Sequence, residues 1–362
     1  MKKVIAILSL TGLFSLSGFS QNLNTKKLDS FFDSLENNNQ VMGNFAVAKS
    51  GKIIYTRSIG YSAITGNEKV KATNETLYRI GSVTKTFTTT MIFQLIEEGK
   101  ISLSTHLDEY FAQIPHADKI TIEMLLKHRS GLYDYVNGST DREWIKKPQS
   151  REAILQEIIK GQPNFLPDKK SAYNNSGFYL LACIIEKITG QSYNENLQKR
   201  ICLKLKMNNT YSPPDNELKS KEASGYTLED GKWVEVADNY FSNIVGVGDI
   251  LSTTTDLIIF IDALLDGKLT SRKSLDLMGG FACKNCVGMG LMKIPFYKRI
   301  GSGHRGDTFG THTFVARFAD ESITFSSCVN GTVLKPSDIT VGLLSTCYDE
   351  KYEIPTFNSK EK

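Results

Sequence analysis

Strand-like segments sit at both ends of this sequence and helix-like segments fill its middle, so any sheet must be assembled from residues far apart in the chain. Near the N-terminus, residues 44–49 (NFAVAK) and 52–58 (KIIYTRS) carry strand character and flank Ser50-Gly51, a hairpin signal. Near the C-terminus, residues 312–318 (HTFVARF) and 322–329 (SITFSSCV) do the same around a four-residue turn at Ala319 to Ser322. Between them the period changes. Phe87, Met91, Leu95 and Ile96 recur at helical spacing from about Thr84 until Gly99. Further helices are predicted over Thr121 to Lys127, over Arg151 to Lys160 before Gly161, and over Gly177 to Thr189 before Gly190. A last helix is expected with Ser337 as its N-cap and Ile339, Leu343 and Leu344 on its inner face. The pattern predicts an α+β fold: an antiparallel sheet from both chain ends, flanked by helices, with a mainly helical region spanning about residues 75 to 220.

Chemistry concentrates at the start of the first long helix. Ser82-Val83-Thr84-Lys85 follows the loop Arg79-Ile80-Gly81. Residues three apart share a helix face, so the Lys85 amine can reach the Ser82 hydroxyl, and a serine needs such a base to become a nucleophile. The helix N-terminus favours the negative charge that develops on attack. Against this stands the plain alternative of an N-cap serine and a solvated lysine. A second Ser-x-x-Lys, Ser359 to Lys362, occupies the final residues and is set aside.

Two more elements complete a constellation. Tyr173-Asn174-Asn175 precedes the helix expected from Gly177; a phenol there can relay a proton and an Asn amide can hold a substrate carbonyl. Tyr135-Val136-Asn137 has the same spacing, but no helix follows it. His304-Arg305-Gly306, followed by Asp307, precedes the late strand pair, where a glycine admits a substrate backbone and the next amide can complete an oxyanion hole. A turn with a satisfied histidine is the plain alternative.

Taken in order, these elements resemble the superfamily of serine β-lactamases, penicillin-binding proteins and related esterases, whose signatures are nucleophile, second and third motifs of this kind. The class C-like branch, with YxN and His- or Lys-x-Gly, is the most similar. YRIGSVTKTFTTTMIFQLIEEGKISL looks like its nucleophile helix, and YNNSGFYLLACIIEKITG like its second loop and helix. ITIEMLLKHRSGLYDY is similar to secreted serine D-alanyl-D-alanine carboxypeptidases. The resemblance covers roughly residues 30 to 350. It implies acylation of Ser82, activation by Lys85, proton transfer through Tyr173 and substrate binding by Asn175, His304, Gly306 and Asp307, with the amides of Ser82 and Asp307 as the oxyanion hole. It implies hydrolysis of a D-alanyl-D-alanine peptide or β-lactam amide. Alternatives on the same scaffold are an esterase, a D-amino-acid peptidase and a non-catalytic β-lactam-binding sensor. Asn174 stands where serine is usual. Asp307 would repel a terminal carboxylate if it faced the pocket, and Arg305 would attract one.

Other features narrow the classes. Lys2 and Lys3, the apolar run Val4 to Phe14, and small residues Gly18 and Ser20 read as a signal peptide over 1–20. The expected layout is a hydrolase domain over 21–352 and a tail over 353–362, in a periplasmic or secreted protein. The apolar run is shorter than the roughly 20 residues a span needs, so no stable membrane span is expected in the mature chain. The formal charge is +4, two units of it from Lys2 and Lys3, which gives no electrostatic case for nucleic acid. The expected partner is a small molecule or peptide: a peptidoglycan-type peptide, a β-lactam or an ester. No metal or cofactor is called for. Cys283 and Cys286 form a CxxC without two further zinc ligands at motif spacing, so a short disulfide or plain thiols is expected there. Cys183 is expected as a buried, inert thiol. There is no G-x-S-x-G elbow and no H-E-x-x-H, and the G-x-G-x-x-G of Gly301, Gly303 and Gly306 lacks a following helix.

Overall fold

A computed structural model describes residues 24–138, 142–214, 221–280, 288–355 and 357. The leader segment 1–20, the Cys283/Cys286 pair and the terminal Ser-x-x-Lys lie outside the described residues.

The sheet is built from both chain ends. Strands β1 (Val41–Lys49) and β2 (Lys52–Ile59) come from the N-terminal end. Strands β3 (Met292–Phe296), β4 (Arg299–Asp307), β5 (His312–Phe318) and β6 (Ile323–Thr332) come from the C-terminal end. Their order is β2-β1-β6-β5-β4-β3, each pair antiparallel, and a hairpin from the middle of the chain (Tyr226–Glu229 and Lys232–Glu235) joins the same sheet through a parallel bridge to β6, an addition to the expected antiparallel sheet from the chain ends. The β1–β2 turn uses the left-handed backbone of Ser50 (φ 50°) and Gly51 (φ 74°), as a tight hairpin requires.

Each face of the sheet has its own core. On one side lie helices α1 (Thr25–Asn37) and α7 (Pro336–Tyr348), where Phe31, Phe32, Leu35 and Leu343 pack on Phe45 and Phe325. On the other lies α6 (Thr254–Leu265), which joins the sheet to the helical region. The larger core there is built on α2 (Thr84–Glu97) and α5 (Asn175–Thr189), with α3 (Ile122–Leu126) and α4 (Arg151–Lys160) alongside. Each fully buried Phe or Leu in these cores contributes about 1.5–3 kcal/mol.

Several local expectations are met and others are corrected. Helix α2 begins at Thr84 and α4 matches its expected span, ended by Gly161. Yet α2 is not one-sided: every residue from Thr84 to Leu95 is buried. Several of its threonines tolerate this because their hydroxyls are satisfied, Thr86 by the Gly290 carbonyl at 2.6 Å, Thr88 by that of Gly246 at 2.7 Å and Thr90 by that of Thr86 at 2.8 Å, whereas the Thr89 hydroxyl has no partner among the described residues. Helix α5 starts at Asn175, two residues earlier than expected, because Asn174 is its N-cap and accepts the Gly177 amide at 2.8 Å. The final helix is capped by Lys335 with Pro336 at its first position, so Ser337 is inside it. Cys183 is only half-buried, beside Arg151, though burial still pushes its thiol up to about 11. The segment 301–307 belongs to the strand β4, where the sequence placed it only ahead of the late strand pair. Its glycines are there for close approach: a Cβ on Gly303 would lie 1.9 Å from the Val315 carbonyl oxygen.

Candidate active site

Ser82 lies in a short 3-10 turn (Gly81–Val83) that feeds α2. Residues three apart eclipse one another in such a turn, which brings Lys85 directly to Ser82. The Lys85 Nζ is 3.1 Å from Ser82 Oγ and donates to the Val247 carbonyl at 3.0 Å. Lys85 is fully buried. Gly81 needs its positive φ (52°), and a Cβ there would lie 2.8 Å from the Asp307 amide nitrogen. A Cβ on Gly306 would likewise lie 2.8 Å from the Ser82 amide nitrogen. Two glycines therefore let the nucleophile turn sit directly on β4.

Tyr173 reaches the same hydroxyl from the other side, its OH 2.6 Å from Ser82 Oγ. Its ring lies 4.9 Å from Lys85 Nζ and packs on the His128 imidazole, centroids 4.7 Å apart. The loop carrying Tyr173 is fastened to the segment 128–137. Ala172 N–H donates to the His128 carbonyl at 2.9 Å, Asn174 N–H to His128 Nδ1 at 3.1 Å, and Asn174 Nδ2 to the Leu132 carbonyl at 2.7 Å. Asn174 thus caps a helix and clamps a loop, which accounts for an amide at this position. The Asn175 side chain donates to both oxygens of buried Asp134, at 3.0 and 3.2 Å.

His304 is buried on β4 and lines the same cleft. Its Nδ1 is 2.5 Å from the Arg305 carbonyl, which only accepts, so Nδ1 carries the proton and Nε2 is left as an acceptor. Burial, reinforced by Lys85, pushes its imidazole down to about 4. His128 falls to about 3 through burial, Lys85 and His304. Both rings are neutral at neutral pH. Asp307 stands across from His312 in the β4–β5 register, and the two side chains meet at 2.6 Å. Strand alternation places Asp307 and Arg305 on the face opposite His304. The carboxylate at 307 is therefore turned from the nucleophile, and its backbone is what approaches Gly81.

The cleft between sheet and helical region has a volume of about 520 Å³ and gathers Ser82, Tyr173, Asn175, His304, Met292 and Phe309. The rival Tyr135-Val136-Asn137 is also nearby but differently used. Tyr135 is buried and donates to the Asn243 carbonyl at 2.6 Å, whereas Val136 and Asn137 line the cleft. Sequence reasoning missed Asp134, His128 and the Val247 carbonyl. The first two lie inside the HRSGLYDY block, but nothing in it marks them as partners of Asn175 and Tyr173. A main-chain acceptor such as Val247 has no side-chain signal. Its loop is held by buried Asp249, which accepts from Gly246 N–H at 2.7 Å and from Ser212 Oγ. Burial raises that carboxyl to about 6. No helix among the described residues is long and apolar enough to cross a membrane.

Known proteins resemble this chain. The chain is 30% identical over 331 residues to penicillin-binding protein 4* of Bacillus subtilis (strain 168), covering 83% of this chain and 70% of the relative. It is 28% identical over 288 residues to teichoic acid D-alanine hydrolase of Staphylococcus aureus, covering 78% of this chain and 69% of the relative. The chain spans 62–70% of the length of such curated relatives. Among solved structures, D-amino acid amidase from Ochrobactrum anthropi SV3 superposes with a TM-score of 0.78 at 23% identity, over 90% of this chain and 99% of that one. That likeness shows the antiparallel sheet and flanking helices to be a shared fold. Residues 29–341 match the Beta-lactamase family, and the chain belongs to that family of serine hydrolases.

Proposed function

We propose that the protein hydrolyses acyl bonds of D-amino-acid substrates through an acyl-Ser82 intermediate. The observation that carries this reading is the convergence of Lys85 Nζ (3.1 Å) and Tyr173 OH (2.6 Å) on one hydroxyl inside a cleft. Lys85 takes the Ser82 proton as Oγ attacks the carbonyl carbon, and the Val247 carbonyl fixes the amine for that transfer. The resulting oxyanion is received by the amides of Ser82 and Asp307. Tyr173 passes the proton to the leaving nitrogen or oxygen as the scissile bond breaks. Water then attacks the acyl-serine by the reverse relay, releasing the acid and restoring Ser82. Asn175, His304 and Gly306 border the path of the substrate.

The first specific activity is D-alanyl-D-alanine carboxypeptidase or β-lactamase-like amide hydrolysis. The His312 imidazole on Asp307 supports it, because it offsets the carboxylate that a substrate's terminal carboxylate would meet at that edge of the cleft, where Arg305 also stands. Ester hydrolysis is the second reading, supported by similarity to a teichoic acid D-alanine hydrolase. The leader-like first twenty residues support a location outside the cytoplasm; N-terminal sequencing should then find a chain starting at or near Gln21.

The test is mass spectrometry after incubation with a β-lactam or an activated ester. An adduct should map to Ser82, vanish in Ser82→Ala and form far more slowly in Lys85→Ala. A panel of D-Ala-D-Ala peptides, a chromogenic cephalosporin and short-chain p-nitrophenyl esters then ranks substrates. Ester turnover without peptide or lactam cleavage would replace the peptidase reading. A stable adduct without turnover of any of the three would mark a β-lactam sensor, and an adduct elsewhere would sink the mechanism.

A further inference from the structure

We infer that the acyl side of the cleft selects substrates carrying a free α-ammonium, as in unblocked D-aminoacyl amides, esters and dipeptides, over the same compounds N-acylated. The inference rests on the acyl-serine reading and narrows its substrate.

Asp134 fixes which end of two carboxamides the substrate meets. A carboxylate only accepts hydrogen bonds. The Asn175 Nδ2 therefore points at Asp134, 3.0 and 3.2 Å from its oxygens, and the Asn137 Nδ2 points at the same group from 3.0 Å. Backbone amides of Val136 (3.0 Å), Asn137 (3.3 Å) and Asn175 (3.3 Å) fill its remaining positions. Both asparagines line the cleft. With the nitrogen of Asn175 committed to Asp134, its oxygen is the atom left for a ligand. The wall thus offers an acceptor where the sequence reading expected an amide to hold a substrate carbonyl.

Charge points the same way. Asp134 is buried, and no cation among the described residues pairs with it; N–H dipoles alone surround it. Its negative charge stands directly behind the asparagine side chains. An ammonium brings three donors and a complementary charge to this wall. An N-acyl group brings one donor and a carbonyl oxygen that faces another oxygen, leaving both unpaired. Asp134 acts here as a positioning residue through Asn175 and Asn137.

The experiment compares D-Ala-D-Ala with N-acetyl-D-Ala-D-Ala, and D-alanine p-nitroanilide with its N-acetyl form, on wild type and Asp134→Asn. In the wild type, kcat/KM should favour the free amine by about 30-fold or more, the range for a hydrogen-bonded charged group. In Asp134→Asn, a neutral amide that can itself donate frees the Asn175 side chain to turn over. The preference should shrink to within about 3-fold, mainly through a higher KM for the free amine. Equal or better hydrolysis of the N-acetyl substrates by wild type, with acyl-Ser82 detected, overturns the inference and leaves the acyl-serine reading standing. No acyl-Ser82 from any of the four compounds overturns the inference, and the absence of an adduct with the activated ester and the β-lactam as well overturns the acyl-serine reading too. If Asp134→Asn does not fold, the wild-type ratios decide alone.

Discussion

The Cα of Gly306 faces the Ile80 carbonyl so closely that a methyl group on it would lie 2.0 Å from that oxygen. The contact joins β4 to the turn bearing Ser82, so the spacing between nucleophile and strand is set by a missing side chain. Gly306→Ala should push the two apart. The cost in stability is about 1–3 kcal/mol, as for other overpacked sites. Loss of alignment with the Ser82 and Asp307 amides should lower kcat by about 100-fold or more. Thermal melts and steady-state kinetics on one preparation separate the two effects.

Tyr173→Phe keeps the ring that packs on His128 and removes only the hydroxyl 2.6 Å from Ser82. Because Tyr173 is half exposed, the fold should be unaffected. The rate should fall by about 10²–10⁴, the usual worth of a positioned proton donor. The loss should be smaller for p-nitrophenyl esters than for amides, since nitrophenolate leaves without a proton. Equal losses on both substrate types would argue that the hydroxyl positions Ser82 instead of passing a proton.

Buried Arg79 lies 3.8 Å from the fully buried Glu222 carboxylate and stacks over the Phe241 ring at 3.5 Å. Glu222 also accepts the Tyr211 hydroxyl at 2.5 Å. Glu222→Ala strands a guanidinium in the interior and should cost about 3–5 kcal/mol. Replacing the pair together, Arg79→Met with Glu222→Leu, should cost less, because the guanidinium leaves with its nearest carboxylate, although Asp249 and Asp238 then lose the Arg79 charge. Denaturant melts of the single and double variants check this.

The motifs were legible because their physics is local. Ser82 and Lys85 are three residues apart, Tyr173 and Asn175 two, and each set precedes a regular helix. Strands β1, β2, β5 and β6 were legible from strand-forming runs on either side of turn signals. What stayed hidden was either non-local or carried by glycine. The strand 299–307 carries a weak sequence signal because Gly301, Gly303 and Gly306 have poor strand propensity, while the reason for Gly303 and Gly306 lies in Val315 and Ile80, residues remote in sequence. Helix α1 had a usable signal, Leu28, Phe31, Phe32 and Leu35 at helical spacing. Asp134 had none, since its role exists only once the segment 172–176 folds back on it.

The pH dependence of stability follows from groups around the site, with opposing signs. His304 and His128 are held down to about 4 and 3 by burial, below the ordinary 6.5. In the unfolded chain both take up protons below pH 6.5, whereas in the folded chain they resist. Their stabilisation is therefore complete above about 6.5 and is lost as pH falls toward 4 and 3. Asp249, raised to about 6 by burial, works the other way. Its folded carboxyl binds a proton before its unfolded one, so acidification from 6 to 4 favours the fold. Near pH 5 the two histidines outweigh Asp249, so these three groups together disfavour the fold on acidification. The melting temperature should fall steadily from pH 7 to 4.5. Asp249→Asn, which can still accept from Gly246 N–H, removes the opposing contribution and should steepen the fall. His304→Asn removes one of the two losses and should flatten it. Melts of the three proteins at pH 7, 6, 5 and 4.5 decide the matter, and a wild-type melting temperature that rises on acidification would show that His304 and His128 do not govern it.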